Sequence, residues 1–354
     1  MKKLLLPVLI VLAACTREPF TSTVNSSLIL NAAGPTRAGD PDDTLISDFN
    51  LFIFNAMGQL EERVYMSERM LRLQGGLAIH RTTLLRDVPY QILAAANLGY
   101  ELPFRSLEQA RAYRLPLAHP DEFSRGLPMA AFLSNAIVGE DGLLEIPLER
   151  LMARVEFNMD RSHLQSGILL KVTEVRVGAC PSSVQLIGPS KVERPDQTFA
   201  VGYLKAGAQV SPLNLDLGAG VSPSICLYLL ENCQGNLLEN VTSDAGKVLD
   251  EGPYQEICSY LEIKAQYHSD SWQTRPGETL TYRIYLGENL NNFDVCRNTW
   301  YSITMRPEGD GLGEESWRFT AGTRSATVRG SGPRKPPEES GATPQSAPET
   351  SGRR

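Results

Sequence analysis

Hydrophobic and polar residues alternate along much of the chain, which is the pattern of a β-strand with one face in a core. The clearest alternation covers Leu151–Asp160, where we expect a strand with its polar face in water. The same pattern recurs at Val175–Val177 and Leu261–Tyr267. The segment Asp48–Phe54 is instead apolar on both faces, which predicts a strand buried on both sides and followed by a turn at Asn55–Gly58.

One short helix is predicted to begin after Ser106, because a serine N-cap followed by Gln109 at the third helical position forms a capping box. The helix is expected to run to Leu115, before Pro116. Elsewhere short strand patterns are separated by Gly, Pro and Asn residues. This arrangement predicts an all-β chain of antiparallel β-sandwiches with Greek-key connections.

The chain of 354 residues is long enough for two domains. The strand pattern is interrupted at His163–Gly167, and the composition after Ser331 is rich in proline and lacks aromatic and large aliphatic residues. The expected organisation is a signal peptide at 1–14, a linker with an N-terminal strand at 15–44, an N-terminal sandwich at 45–162, a C-terminal sandwich at 163–330 and a disordered tail at 331–354.

The first fifteen residues have the features of a lipoprotein signal. Two lysines precede a short apolar run, and Leu12-Ala13-Ala14 stands directly before Cys15. The run is too short to span a bilayer of about 30 Å as a helix. Cleavage before Cys15 would create an N-terminal cysteine for lipidation, palmitate included, and anchor the body in the outer membrane. The alternative is an ordinary signal peptide followed by a chance cysteine.

Charge and cysteine content limit the partners and the redox chemistry. The formal net charge of −7 argues against nucleic acid as a partner. Five cysteines follow Cys15, and an oxidising compartment permits them to form disulfides, although an odd number leaves at least one thiol unpaired. The absence of a C-x-x-C motif argues against structural zinc and against a thioredoxin-type dithiol. The five are Cys180, Cys226, Cys233, Cys258 and Cys296.

No recognisable catalytic, phosphate-binding or metal-binding motif occurs in the sequence. The acidic cluster Asp40–Asp43 lacks the rest of a calcium loop, and His119–Glu122 contains a proline that prevents a helical ligand face. We interpret both as solvated loops. We therefore expect no catalytic residue, no metal and no cofactor, although the paired carboxylates of a glycosidase, whose pairing is spatial, are not excluded by sequence.

Several segments, taken in order, resemble Bacteroides-type fimbrillin-family lipoproteins, and the second half is most similar to their minor anchor or tip subunits. The likeness extends from about Ser22 to Thr320. The segments that carry it are Thr36–Asp40, Ile46–Leu60, Tyr90–Gly99, Leu148–Val155, Tyr228–Gly235, Tyr285–Gly287 and Phe293–Tyr301.

The resemblance implies two tandem transthyretin-like sandwiches and a non-enzymatic fimbrial subunit that supports cell adhesion and joins other subunits by β-strand exchange. In polymerising members of that family, an Arg-specific protease removes an N-terminal segment. The corresponding position here is Arg37, with Ala38 as the new N-terminus; the alternative is that Arg37 is an exposed arginine in a loop. The proline-rich tail is a poor donor strand, because proline has no N–H for a ladder. This favours the lipid-held base or the tip of the filament over its stalk.

Two other functions compete with this interpretation. A glycan-binding outer-membrane lipoprotein would need exposed aromatic platforms, and the tryptophans are Trp272, Trp300 and Trp317. Trp300 stands beside Tyr301 in a strand pattern, which favours a place in the core. An envelope hydrolase has no supporting motif.

Overall fold

Short strands make up nearly all the regular structure. The structure, a computed structural model, describes residues 22–33, 44–117, 126–199, 220, 224–242, 246–249, 252–270, 279–311 and 321–328. No helix in these ranges has the length and hydrophobicity needed to cross a lipid bilayer.

The described residues of the first half contain eight strands and one α-helix. Their bounds are β1 (Thr23–Ala32), β2 (Phe49–Phe54), β3 (Leu60–Met66), β4 (Ala78–Leu85), β5 (Pro89–Ala96), α1 (Leu107–Ala112), β6 (Arg114–Pro116), β7 (Met129–Ile137) and β8 (Leu143–Arg150).

The described residues of the second half contain twelve strands, one α-helix and a short 3-10 helix at Pro195–Gln197. Their bounds are β9 (Met152–Met159), β10 (Ile168–Gly178), β11 (Cys180–Pro181), β12 (Ser183–Gln185), β13 (Thr198–Phe199), β14 (Ile225–Leu230), β15 (Asn232–Asn236), α2 (Pro253–Ile257), β16 (Tyr260–Ser269), β17 (Thr279–Tyr285), β18 (Asn292–Val295), β19 (Thr299–Met305) and β20 (Ala321–Val328).

Seven strands of the first half form a sheet in the order β3-β2-β5-β7-β8-β1-β4. The sheet bends between β7 and β8, where two residue pairs hold the strands together. Its two edge strands then meet through side chains: His80 Nε2 of β4 lies 2.8 Å from Glu62 Oε1 of β3, and the Thr82 hydroxyl donates to Glu62 Oε2 at 2.6 Å. The sheet therefore encloses a core between its two ends, as a β-sandwich does.

The core of this first sandwich combines side chains from both ends of the bent sheet. Leu28 and Leu30 of β1 pack in one buried cluster with Leu51 of β2 and Ile92 of β5, and all four are fully buried. On the opposite face of β2, Phe52 lies in a different buried cluster. This confirms the prediction that the strand over Asp48–Phe54 is buried on both sides.

The second half repeats this architecture with a four-stranded sheet, β14-β9-β19-β20, and a three-stranded sheet, β10-β16-β17. Side chains from the two sheets share one core, which includes Phe157 of β9, Val177 of β10 and Ile263 of β16. The alternation at Val175–Val177 and Leu261–Tyr267 faces this core as predicted. The predicted all-β fold of two tandem β-sandwiches is confirmed.

The prediction that β9 is half in water is wrong. Arg154 and Glu156, on its polar face, are both buried. The Arg154 guanidinium lies 5.0 Å from the ring centroid of Trp300 on the neighbouring β19 and donates from Nη2 to Cys226 Sγ at 3.1 Å. Alternation identified the strand correctly, but it gave no information about the side chains that cover its polar face.

The helix begins as predicted and ends earlier. The Ser106 hydroxyl accepts a hydrogen bond from the Gln109 backbone N–H at 3.3 Å, and Gln109 Oε1 accepts from the Arg105 N–H at 2.8 Å. The helix stops at Ala112 because the following residues are extended and pair, as β6, with β12. The β6–β12 ladder thus replaces the last helical turn that the sequence predicts.

The two sandwiches share a hydrophobic cluster. Phe52 and Leu93 from the first half belong to the same buried cluster as Val184, Tyr228 and Leu230 from the second. The β6–β12 ladder adds backbone hydrogen bonds between the halves. Strand β9 pairs with β14 and β19. We therefore propose that the boundary lies between β8 and β9, earlier than the predicted division at residues 162 and 163.

A carboxylate at the end of β9 makes the fold sensitive to acid. The Ser162 hydroxyl and N–H both donate to Asp160 Oδ1, at 2.6 and 3.1 Å, and Arg306 Nε donates to Asp160 Oδ2 at 3.2 Å. The Ser162 hydrogen bonds, followed by the contact with Arg306, hold the pKa of Asp160 below its ordinary value. Because folding lowers this pKa, the resulting stabilisation is complete above about pH 4 and is lost as the pH falls through the folded-state value.

We expect Asp160→Asn to lower the free energy of unfolding at pH 7, because an amide cannot replace the charged acceptor of Arg306. The difference from the parent chain should shrink as the pH falls from about 4 through the lower folded-state pKa of Asp160, where the carboxylate of the folded parent becomes protonated. Urea unfolding at a series of pH values measures both effects. The exposed Asp196 provides the control, and Asp196→Asn should cost less at pH 7 than Asp160→Asn, because its ion pair with Arg194 lies in solvent. A difference for Asp160→Asn that persists undiminished at low pH would contradict the assignment.

Candidate functional site

The N-terminal strand β1 lies inside the first sheet, between β4 and β8. Its sequence alternates, and the residues that point into the sandwich are Ser26, Leu28 and Leu30. Leu28 and Leu30 are fully buried, whereas Ile29 between them is half-buried. The alternating pattern thus places two leucines in the core from the first strand that the structure describes.

Strand β1 forms two ladders of opposite direction. It runs antiparallel to β4, from the pair Thr23–Leu85 to the pair Leu30–Ala78. It runs parallel to β8, from Ser27–Leu143 to Ala32–Leu148. Its residues 27–30 are therefore paired on both sides and the rest of the strand on one side, and its removal would leave two rows of unpaired backbone groups beside a hydrophobic core.

Within the part of the chain that the structure describes, β4 pairs with β1 and with no other strand. The link between β4 and the rest of the sheet consequently runs through β1. The contacts of His80 and Thr82 with Glu62 are side-chain contacts and do not replace a ladder. The position of β4 depends on whether the place of β1 is filled.

Gly142 allows β1 to pass close to the turn before β8. Its carbonyl accepts a hydrogen bond from the Ser27 N–H at 2.7 Å, and its φ of +67° favours glycine. A Cβ at this position would lie 2.2 Å from the Asn25 carbonyl oxygen of β1. The turn is thus shaped to the backbone of the inserted strand.

Both ends of β1 are held by the rest of the chain. At its start, the Arg86 N–H donates to the Ser22 carbonyl at 2.8 Å, and at its end the Ala33 N–H donates to the Leu148 carbonyl at 2.7 Å. Arg150 Nη1 donates to the Ala33 carbonyl at 3.2 Å and to Asn298 Oδ1 of the second sandwich at 2.8 Å. Arg150 therefore connects the point where β1 leaves the sheet with the junction between the sandwiches.

The sequence-predicted site residues Cys15, Arg37 and Ala38 lie outside the described residues. Their order along the chain relative to β1 is nonetheless informative. Cys15 precedes β1, and Arg37 lies in the segment between β1 and β2. A cut after Arg37 would separate both Cys15 and β1 from the rest of the protein.

Gly142 and Arg150 are site residues that the sequence analysis missed. Glycines at 139 and 142 indicate a turn, but nothing in the sequence tells which strand passes beside it. Within the described residues, no group of three or more His, Cys, Asp or Glu side chains is placed to hold a metal ion.

The comparisons with known proteins concern the fold. A family model described as a domain of unknown function (DUF4906) matches residues 227–305, which extend from β14 to β19. No curated protein matches the chain.

Three solved structures from two organisms are similar to this chain. The tip fimbrial protein Mfa3 from Porphyromonas gingivalis, truncated at its C-terminus, is 13% identical, with 80% of this chain and 95% of that one covered and a TM-score of 0.50. A fimbrilin (FimA) from Porphyromonas gingivalis W83 is 15% identical, with 80% and 90% covered and a TM-score of 0.50. A candidate cell adhesion protein from Parabacteroides distasonis is 14% identical, with 84% and 90% covered and a TM-score of 0.52. At these identities the likeness establishes a shared β-sandwich fold.

We expect Leu30→Ala to lower the free energy of unfolding by about 2–5 kcal/mol, the usual cost of removing a fully buried leucine side chain from a core. Ile29→Ala is the matched control on the same strand, and its cost should be less than half as large because Ile29 is half-buried. Urea unfolding of both variants measures the difference. Equal costs for the two substitutions would contradict the inward orientation of Leu30.

Proposed function

We propose that the protein is a non-enzymatic subunit of a surface fimbrium, joined to its neighbour by β-strand complementation and supporting cell adhesion. The observation that carries the proposal is the position of β1, which lies between β4 and β8 and contributes Leu28 and Leu30 to the core. The fold shared with fimbrial proteins of Porphyromonas gingivalis supports the same assignment.

Strand complementation requires a groove that one extended segment fills completely. The place of β1 meets this requirement, because a segment there satisfies the backbone groups of β4 and β8 and buries alternate side chains at the same time. A strand from a neighbouring subunit with apolar residues at alternate positions would make the same contacts. Subunits could then be joined without any new fold.

Proteolysis after Arg37 is the step that would make the groove available. The cut breaks the covalent link between β1 and the rest of the chain and leaves Ala38 at the new N-terminus. It does not remove β1, since both ladders and the buried leucines still hold it. Release therefore takes place by exchange, in which an incoming strand replaces the ladders of β1 as they open.

The lipid anchor and the filling strand lie on the same side of this cut. A chain that keeps a lipidated Cys15 also keeps β1, so it is held at the outer membrane with its groove filled. A chain cut after Arg37 loses the anchor together with the covalent hold on β1. The uncut form suits the base of a filament, where no donor strand enters this groove, and the cut form suits a position farther out.

The C-terminal end of the described chain supports a terminal position in the filament. Strand β20 pairs antiparallel with β19 at the edge of its own sheet. The residues that follow include the proline-rich tail at 331–354, which lies outside the described residues and is poorly suited to a ladder. We therefore place this subunit at the base or the tip of the filament, in contact with other fimbrial subunits.

The glycan-binding alternative receives no support from the described residues. Trp300 lies beneath the Arg154 guanidinium and is half-buried, so it is not an open platform for a sugar ring. Trp272 and Trp317 lie outside the described residues.

The proposal is tested with purified chain that lacks the lipid, an Arg-specific protease and a fluorescent peptide of residues 22–33. We expect N-terminal sequencing to find Ala38 after digestion, and we expect the cut chain alone to take up the peptide as a detergent-resistant complex. The reason is that uptake requires β1 to leave, which the covalent link prevents in the uncut chain.

Two controls accompany this experiment. Arg37→Lys should block both the cut at this position and peptide uptake. A peptide with Leu28→Asp and Leu30→Asp should not bind the cut chain, because it would bury two unpaired carboxylates. Equal uptake by cut and uncut chains, or failure of the cut chain to bind the unmodified peptide, would overturn the proposal.

A further inference from the structure

Two of the five cysteines lie together on a small antiparallel ladder in the second sandwich. Strand β15 pairs with β18 through Asn232–Val295 and Cys233–Asp294. Because side chains alternate along a strand, Cys233 shares a face with Asp294 and with Cys296, two residues farther on. Register alone does not bring two short side chains together at a diagonal position, but the Cys233 and Cys296 thiols are in side-chain hydrogen-bond contact.

The backbone at both cysteines is held in place. The Cys233 N–H donates to the Ser190 carbonyl at 2.8 Å. The Cys296 N–H donates to Tyr301 Oη at 3.0 Å, and this hydroxyl donates to the Asp294 carbonyl at 3.1 Å. The Tyr301 ring is buried in the core, so the loop after β18 is tied to a rigid part of the sandwich.

The two thiols share one environment with Glu288. Cys296 Sγ donates to Glu288 Oε1 at 3.3 Å. The neighbouring Cys233 thiol, then burial and the Glu288 carboxylate, raise the pKa of Cys296 above its ordinary value. The raised pKa disfavours a thiolate at Cys296.

The other three cysteines lie elsewhere. Continuing the β10–β16 register past Gly178–Tyr260 would place Cys180 opposite Cys258, but Ala179 adopts a φ of +49° and the ladder ends there. The two thiols belong to different buried clusters. Cys226 lies on β14, where its Sγ accepts a hydrogen bond from Arg154.

We propose that Cys233 and Cys296 are joined by a disulfide bond in the exported protein. The Cys233 thiolate attacks the disulfide of an oxidised dithiol protein and forms a mixed disulfide, and one sulfur of the oxidant leaves as a thiolate. Cys296 loses its proton and attacks the Cys233 sulfur, which forms the internal bond and releases the oxidant as a dithiol. Two thiols are oxidised and one disulfide is reduced.

This bond would connect β15 to the loop after β18 and enclose β16 and β17, two strands of the three-stranded sheet. A filament subunit transmits tension along its chain, and the enclosed segment would not extend under that load. The inference rests on the proposed function to the extent that export brings the protein into an oxidising compartment.

The bond is tested by disulfide mapping of the full chain. Purified protein is treated with oxidised glutathione, free thiols are alkylated, and peptides are analysed by mass spectrometry before and after reduction. We expect one dominant cross-link, Cys233 to Cys296, and a Tm that falls by roughly 5–10 °C on reduction. Cys233→Ser should abolish the cross-link, and Cys226→Ser, at a half-buried cysteine on another strand, should leave it intact.

A second arm applies the same alkylation to protein recovered from cells. The cross-link in both arms supports the proposal. The proposal would be overturned if Cys233 and Cys296 were alkylated after glutathione treatment, or if the dominant cross-link involved another cysteine. Either result would show that the two thiols are not placed to form a bond with each other. A cross-link that forms in the purified protein but is missing from cell-derived protein would also overturn the proposal, because it would show that these cysteines are not oxidised in the cell. The peptide-uptake experiment, which tests the proposed function, is carried out on reduced chain. A failure of peptide uptake is therefore distinguishable from a failure to form the disulfide.

Discussion

The ladder that β1 forms with β4 and β8 is the interaction on which the first sandwich depends. One strand supplies two leucines to the core, and β4 reaches the sheet through this strand within the described residues. The strand is nevertheless the first that the structure describes, and the segment that contains Arg37 connects it to the rest of the described chain. Under the proposed function, a central strand that one cut can separate from the rest of the chain is suited to replacement by another strand.

Under the proposed function, this arrangement would couple assembly of the filament to anchoring of the chain. Cys15 and β1 lie on the same side of Arg37, so one proteolytic event would change both the attachment of the chain and the access to its groove. Arg150 links the exit of β1 to Asn298 in the second sandwich, and a shared hydrophobic cluster holds the two halves together. The second sandwich thus supports the part of the first sandwich where β1 leaves the sheet.

Much of the fold could be predicted from the sequence, since alternation reports directly on strands. It identified β2 as buried on both faces and located the start of α1 at Ser106, because these features depend on local residues. It gave the wrong environment for the polar face of β9, because Trp300 and Cys226, which cover Arg154, come from distant strands. The sequence also did not predict that β1 lies between β4 and β8. An alternation with a period of two residues shows which side chains share a face of a strand, but not which strands are its neighbours.

Amide hydrogen exchange tests the central claim most directly. It would be followed in β4 and β8 of chain cut after Arg37, first with β1 in place, then after its removal and finally after addition of the peptide of residues 22–33. Exchange in both strands should become fast when β1 leaves and slow again when the peptide binds, while exchange in β16 stays slow throughout. If β4 and β8 remain protected after β1 has left, the groove does not depend on this strand and the account is wrong.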